Sequence, residues 1–239
     1  MRKHRTLFAI TLCAVLAITI AVLLATDDEP RYKGRSLSWW LRAYSDSSPA
    51  EAASEDFPKL TEIEHAIRAI GTNALPFLLK WIQKEPPSWH RAAHNKLPDS
   101  ITEVAPAKLL IDGPGYEKAT QAVVAFGVLG TNAAPAIPKL VALMTTTTSP
   151  RIAGRAIIAL SGVGAPAFPY LVTALSDTNQ LGRSLIPNFM RSMAADVGTN
   201  TCLPPLKTAL QDQNLAVRAA ASRALRVLAP DLLTNAPAQ

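Results

Sequence analysis

The stretch Ala122-Val-Val-Ala-Phe-Gly-Val-Leu-Gly130-Thr-Asn-Ala-Ala-Pro135-Ala-Ile-Pro-Lys-Leu140 decides the fold of this 239-residue chain. Ala122 and Ala125 fall on one side of a helix, where a neighbour approaches, and Val123 and Phe126 face the core. Ala costs little helical free energy and lets helix axes come close. Gly130 supplies the left-handed residue after the helix, where a Cβ would be penalised. Asn132 suits a turn, and Pro135 or Pro138 suits the first turn of a second helix, where the missing N–H loses nothing. Leu140, Leu143 and Met144 then form that helix's apolar stripe. The stretch reads as a helical hairpin.

The hairpin recurs. Ala-x-x-Ala-apolar stands at Ala66/Ala69/Ile70, Ala122/Ala125/Phe126, Ala156/Ala159/Leu160 and Ala221/Ala224/Leu225. Glycine turns followed by proline stand at Gly71 and Pro76, Gly130 and Pro135, and Gly164 and Pro166. A fourth, Gly198 and Pro204, lacks the Ala pair and has Met190 and Met193 in those places. Gly130, Gly164 and Gly198 are 34 residues apart, and Leu140, Leu171 and Leu206 follow at 31 and 35. Ser149-Pro150 opens the third unit. Pro187 is expected to kink or delay the first helix of the fourth. The last unit, 214–228, has a strong first helix. About five such units, none able to bury its own face, should stack into an all-α superhelix.

Ala-x-x-Ala-Leu, a Gly turn, then Pro-x-Leu-x-x-Leu resembles HEAT repeats, in particular the short bacterial kind called lyase-like. The resemblance covers 61–82 and 119–228. It implies a non-catalytic α-solenoid scaffold that binds a protein partner, with the concave surface of second helices as the contact. Two other readings stand beside it: a HEAT-type enzyme, lyase-like or metal-dependent, and a polyanion or nucleic-acid binder. The lead-in Tyr32-Lys-Gly-Arg-Ser-Leu-Ser-Trp-Trp-Leu is also similar to that of anchored bacterial HEAT proteins.

The flanks set the expected organisation. Arg2, Lys3 and Arg5 precede a charge-free run of 19 residues, Leu7 to Ala25, and Asp27, Asp28 and Glu29 follow. At about 1.5 Å per residue such a run spans roughly 28 Å as a helix, near the thickness of a bilayer's hydrocarbon. It is longer than a secretory h-region and lacks a good cleavage site. The expectation is a single-pass membrane protein: 1–6 cytoplasmic, 7–26 a transmembrane signal-anchor helix, and the repeats across the membrane. Secretion after cleavage is the alternative. Residues 27–58 read as a linker with a short capping helix, N-capped by Ser36 and with Leu37, Trp40, Leu41 and Tyr44 on one face. The repeats occupy 59–230, with an insertion at 85–118 in which Asp112-Gly-Pro-Gly reads as a turn. A tail, 231–239, ends the chain.

Composition excludes several classes. With 49% hydrophobic residues the chain is neither disordered nor collagen-like. Two cysteines, Cys13 and Cys202, cannot staple a scaffold, and Cys202 reads as a small buried apolar residue. His90 and His94 have the spacing of a zinc pair, but Arg91 stands where a hydrolytic zinc helix has Glu. Glu64-His65 occurs once, on the outer face of a helix. No phosphate-binding glycine loop and no Gly-x-Ser-x-Gly elbow is present. No catalytic residue, cofactor, metal or small-molecule substrate is expected.

The charge distribution carries the remaining binding signal. Of a net +6, the part from 119 onward holds nine basic residues against four acidic. Arg151, Arg155, Arg183, Arg191, Lys207, Arg218, Arg223 and Arg226 recur along the units. If stacking aligned them, they would form a basic ridge for acidic protein segments, anionic lipid or nucleic acid. Solvation of ordinary helix faces is the plainer account. Nucleic acid is disfavoured by the scarcity of aromatic stacking partners.

Overall fold

The computed structural model describes residues 29–46, 58–85 and 105–231, with side chains in the last segment from 116. Apart from one short β-hairpin these residues are helical. Strands β1 (Arg31–Tyr32) and β2 (Arg35–Ser36) pair antiparallel across Lys33 and Gly34, with Arg31 opposite Ser36. Lys33 and Gly34 both have positive φ, 48° and 76°, as a two-residue hairpin turn of the twist-matching kind requires. Helix α1 (Leu37–Ser45) follows, its N-cap Ser36 accepting from the Trp39 amide. It packs across α2 and α4, the first helices of the first two units.

The rest is a run of hairpins. First helices are α2 (Leu60–Ile70), α4 (Ala105–Leu129), α6 (Pro150–Val163), α8 (Ile186–Val197) and α10 (Leu215–Leu228). Second helices are α3 (Leu75–Trp81), α5 (Ile137–Thr146), α7 (Phe168–Ser176) and α9 (Thr199–Ala209). Successive first helices pack on one another, α2 on α4 and so on to α10. The second helices form the other layer, α3 lying on α4, α5 on α6, and α7 and α9 each against first helices. Gly71, Gly130, Gly164 and Gly198 end the first helices with φ of 60°, 55°, 87° and 94°. After the first three comes a 3-10 turn (Gly71–Ala74, Gly130–Ala136, Ala165–Ala167), and each of these turns packs on the next. The bends therefore share an edge. After Gly198 the 3-10 turn is missing, and α9 starts at once with Pro204 and Pro205 inside it. Pro187 sits in the first turn of α8 and delays its start, with a 3-10 turn, Arg183–Leu185, ahead of it.

The core follows the alternation of small and large residues. Ala66, Ala122, Ala125, Ala156, Ala159, Ala221 and Ala224 are fully buried between first helices, and Ile67, Phe126, Ile157, Leu160 and Leu225 fill the space between layers. Gly127 of α4 and Gly162 of α6 mark the tightest crossing: a Cβ on Gly162 would lie 2.9 Å from the Gly127 Cα. Ser149 and Asn214 cap α6 and α10, accepting from Ile152 and Ala216.

Two expectations are corrected. Asp112-Gly-Pro-Gly is not a turn: the backbone of α4 is helical from Ala105 to Leu129, straight through it. The C-terminal half of α4 is held on both flanks, and tertiary packing of that half overrides a local turn preference. The second correction concerns the membrane. Among the described residues the one helical run long and apolar enough to cross a bilayer is Tyr116–Thr146, in mid-chain and not at the N-terminus. Its apolarity belongs to the repeat core, since Ala122, Phe126, Leu129, Leu140 and Met144 are buried inside the stack. The run 7–26 lies outside the described residues. The N-terminal anchor, the membrane as a partner and the single-pass topology are therefore not retained.

The Gly127–Gly162 crossing makes an asymmetric prediction. Gly162→Ala drives a Cβ into backbone and should cost about 1–3 kcal/mol. Gly127→Ala meets nothing within 4 Å and should stabilise the helix by up to about 1 kcal/mol. Urea midpoints of the two variants check this; equal effects would refute the crossing.

Candidate functional site

The second helices present the broad open side of the array. Each contains proline, then one residue, then a buried leucine, in the first turn of α3, α5 and α7 and inside α9: Pro76-Phe77-Leu78, Pro138-Lys139-Leu140, Pro169-Tyr170-Leu171 and Pro204-Pro205-Leu206. The leucine points into the core. Pro76, Pro138, Pro169 and Pro204 are exposed, as are Lys80, Ala142, Thr173 and Thr208 at the next helical turn. Tyr170 is 45% exposed. Thr145, Thr173, Ser176 and Thr208 donate their hydroxyls back to carbonyls four residues earlier (3.0–3.2 Å), so this surface satisfies its own polar groups. None of the four helices contains an acidic residue.

Their C-terminal ends are held by residues from other units. A helix end leaves carbonyls without partners, and donors there also answer the negative end of the helix dipole. Arg155 of α6 donates to Ile82 O (3.2 Å) and Lys84 O (2.6 Å) at the end of α3. Gln180, buried in the loop after α7, donates to Met144 O of α5 at 2.8 Å. Arg183 donates to Leu175 O of α7 and makes a two-pronged ion pair with Asp212, with Nη2 2.9 Å from Oδ1. Arg218 donates to Asp212 O and Gln213 O in the loop after α9. Each loop is itself closed by a short side-chain turn: Thr147 to the Ser149 amide, Asp177 to the Asn179 amide, Asp212 to the Asn214 amide.

The residues expected to form one basic ridge are thus not brought together as one. Arg183 is buried, and Arg155 and Arg218 are half-buried among carbonyls. Arg151, Arg191, Arg223 and Arg226 are exposed on first helices, and Lys207 is exposed on a second helix. Burial presses the Arg155 pKa down. The hydrogen bond from Arg183 is the main reason the Asp212 carboxyl sits below the usual range; burial opposes it, and the Asn214 amide helps. Cys202 is buried beside Met190 O, and burial pushes its thiol up.

The N-terminal end carries a second group of polar side chains. Glu29 accepts from Lys118 Nζ (2.8 Å) and from the Ser38 amide (2.9 Å), tying the lead-in to α4. Burial alone would raise its pKa, but these bonds outweigh it and hold the carboxyl low. Lys118 also stands 4.6 Å above the Trp81 ring, and Arg35 lies 3.8 Å over Trp39. Ser36, Ser38, Trp39, Arg42, Lys118 and Gln121 line a shallow groove of about 250 Å³. Its cations are already paired, Arg42 with Glu117 and Lys118 with Glu29. Tyr32 and His65 meet at 3.3 Å on the surface. Among the described residues no three His, Cys, Asp or Glu side chains cluster as metal ligands. His90 and His94 lie outside the described residues.

Comparison with known proteins agrees with this architecture. The HEAT repeat family model matches residues 202–232, which take in most of α9 and all of α10. Residues 202–232 are thus similar to a HEAT repeat, and the other described units share their all-α hairpin plan. The match does not single out an anchored bacterial subgroup. No curated protein and no solved structure matches the chain.

Asp212→Asn tests the capped edge. It leaves the Arg183 guanidinium buried without a counter-charge, which costs about 3–5 kcal/mol. Because the Asp212 carboxyl titrates lower folded than unfolded, its contribution is complete above the ordinary carboxylate range. It is lost as pH falls through the lowered value. The gap in urea stability between the two proteins should therefore be largest near neutral pH and close in acid. A gap that does not change with pH would refute the pair.

Proposed function

We propose that the chain is a non-catalytic repeat scaffold that binds a protein partner on its second-helix face. The observation that carries this reading is the pairing of an all-α repeat stack with a long open layer that no other described element covers. The exposed Pro76, Pro169 and Tyr170, with the half-buried Phe77 and Leu203, give that layer apolar contact area, and its hydroxyls are already bonded to their own helices. The lack of a metal-ligand cluster among the described residues, together with the HEAT-type fold, argues against catalysis.

A rigid stack suits such a role. Lining residues set on helices hold their spacing, so a partner meets an ordered surface and little ordering entropy is lost on the scaffold's side. Photocrosslinking tests the reading by position. A benzophenone amino acid at Tyr170 or Lys139 should give a discrete adduct in cell extract, and one at Arg151 or Arg223 on the first-helix layer should give none. Equal adducts from both layers, or substrate turnover abolished by a single side-chain change in the array, would overturn it.

A further inference from the structure

The charges of the two layers differ in a way that names the partner's chemistry. Helices α3, α5, α7 and α9 hold no aspartate or glutamate, and their charged residues are Lys80, Lys139 and Lys207. Lys139 and Lys207 are exposed and form no ion pair with a described residue. Acids within helices lie on first helices: Glu62 and Glu64 on α2, Asp112 and Glu117 on α4, and Asp196 on α8. Of the acids that follow second helices, Asp177 and Asp212 are drawn into loop turns by the Asn179 and Asn214 amides, and Glu85 accepts from the Ser149 hydroxyl.

The helix ends add to the asymmetry. The negative C-terminal ends of α3 and α7 are met by the guanidinium groups of Arg155 and Arg183, and that of α5 by the Gln180 amide. Their positive N-terminal ends lie along the shared turn edge, where Thr72, Asn73, Thr131 and Asn132 are exposed. With the carbonyl ends of α3 and α7 answered by guanidinium groups and no acid within any second helix, the second-helix layer carries an excess of positive charge.

We infer that this face takes an acidic polypeptide segment bearing apolar side chains, an inference that rests on the scaffold reading above. The acids complement Lys139 and Lys207, and the apolar side chains complement Pro169, Tyr170, Leu203 and Pro204. Nucleic acid fits less well, because phosphate binding draws its strength from many cations and base stacking from several rings. This layer offers few of either.

The test uses the full chain and a fluorescent 16-residue peptide of Glu and Asp interspersed with Leu and Tyr. Anisotropy should report binding, and a counterpart with Lys in place of the acids should not bind. The double change Lys139→Glu/Lys207→Glu should weaken binding at least tenfold with an unchanged thermal midpoint. Arg191→Glu/Arg223→Glu, on the first-helix layer, should leave it within twofold. Equal loss in both double variants, or tighter binding of oligo-dT or phosphatidylserine vesicles than of the peptide, would overturn the inference. Failure of the peptide to bind while the Tyr170 photoadduct persists would overturn the acidic chemistry and leave the scaffold reading standing.

Discussion

No hairpin in this chain can bury its own apolar face, and the structure depends on that constraint. A helix pair of about thirty residues has too little interior for a core, so each unit completes the next. Phe126, Ile157 and Leu160 are fully buried because helices of neighbouring units close over them. The alanines follow from the same need. First helices that lie side by side must approach closely, and Ala122, Ala125, Ala156 and Ala159 allow it; at Gly127 and Gly162 they come closer still. Larger residues on those faces would part the stack and empty the layer beneath.

Polar groups are settled by the same neighbour logic. The unpaired carbonyls at the ends of second helices are not left to solvent but are taken by Arg155, Gln180 and Arg183 from other units. The ion pair of Arg183 and Asp212 joins the loop ahead of α8 to the loop ahead of α10. Such a buried pair adds little net stability against a hydrophobic alternative, yet removing one partner is costly. At the other end Glu29, Lys118 and α1 cover the first units. The open side that remains is the layer of second helices.

Much of this was legible in the sequence, because the repeat is written in local terms. A Gly after an Ala-x-x-Ala helix, then Pro-x-Leu, fixes where each bend falls, and Ser36, Ser149 and Asn214 announce helix starts. Other features depend on pairs too distant to read. Arg183 and Asp212 are 29 residues apart, and nothing local marks Arg183 as buried while Arg191 stays exposed. A usable signal did exist: Thr147-x-Ser149, Asp177-x-Asn179 and Asp212-x-Asn214 recur in phase and close the loops. Asp112-Gly-Pro-Gly misled because local turn preference is weaker than the packing that holds α4. The apolar run at the N-terminus misled on topology because hydropathy reads composition alone, and the qualifying helix among the described residues proved to be repeat core.

The central claim is that successive units advance along one axis with their bends on a shared edge. Nitroxide labels at Thr72 paired in turn with Thr131, Pro166 and Asn200 measure that advance directly. With helices packed 8–10 Å apart, the separations should lengthen at each step, to about 10, 20 and 30 Å before allowance for label arms. A series that fails to grow, with Asn200 as near to Thr72 as Thr131 is, would mean that the chain folds back on itself around a common centre.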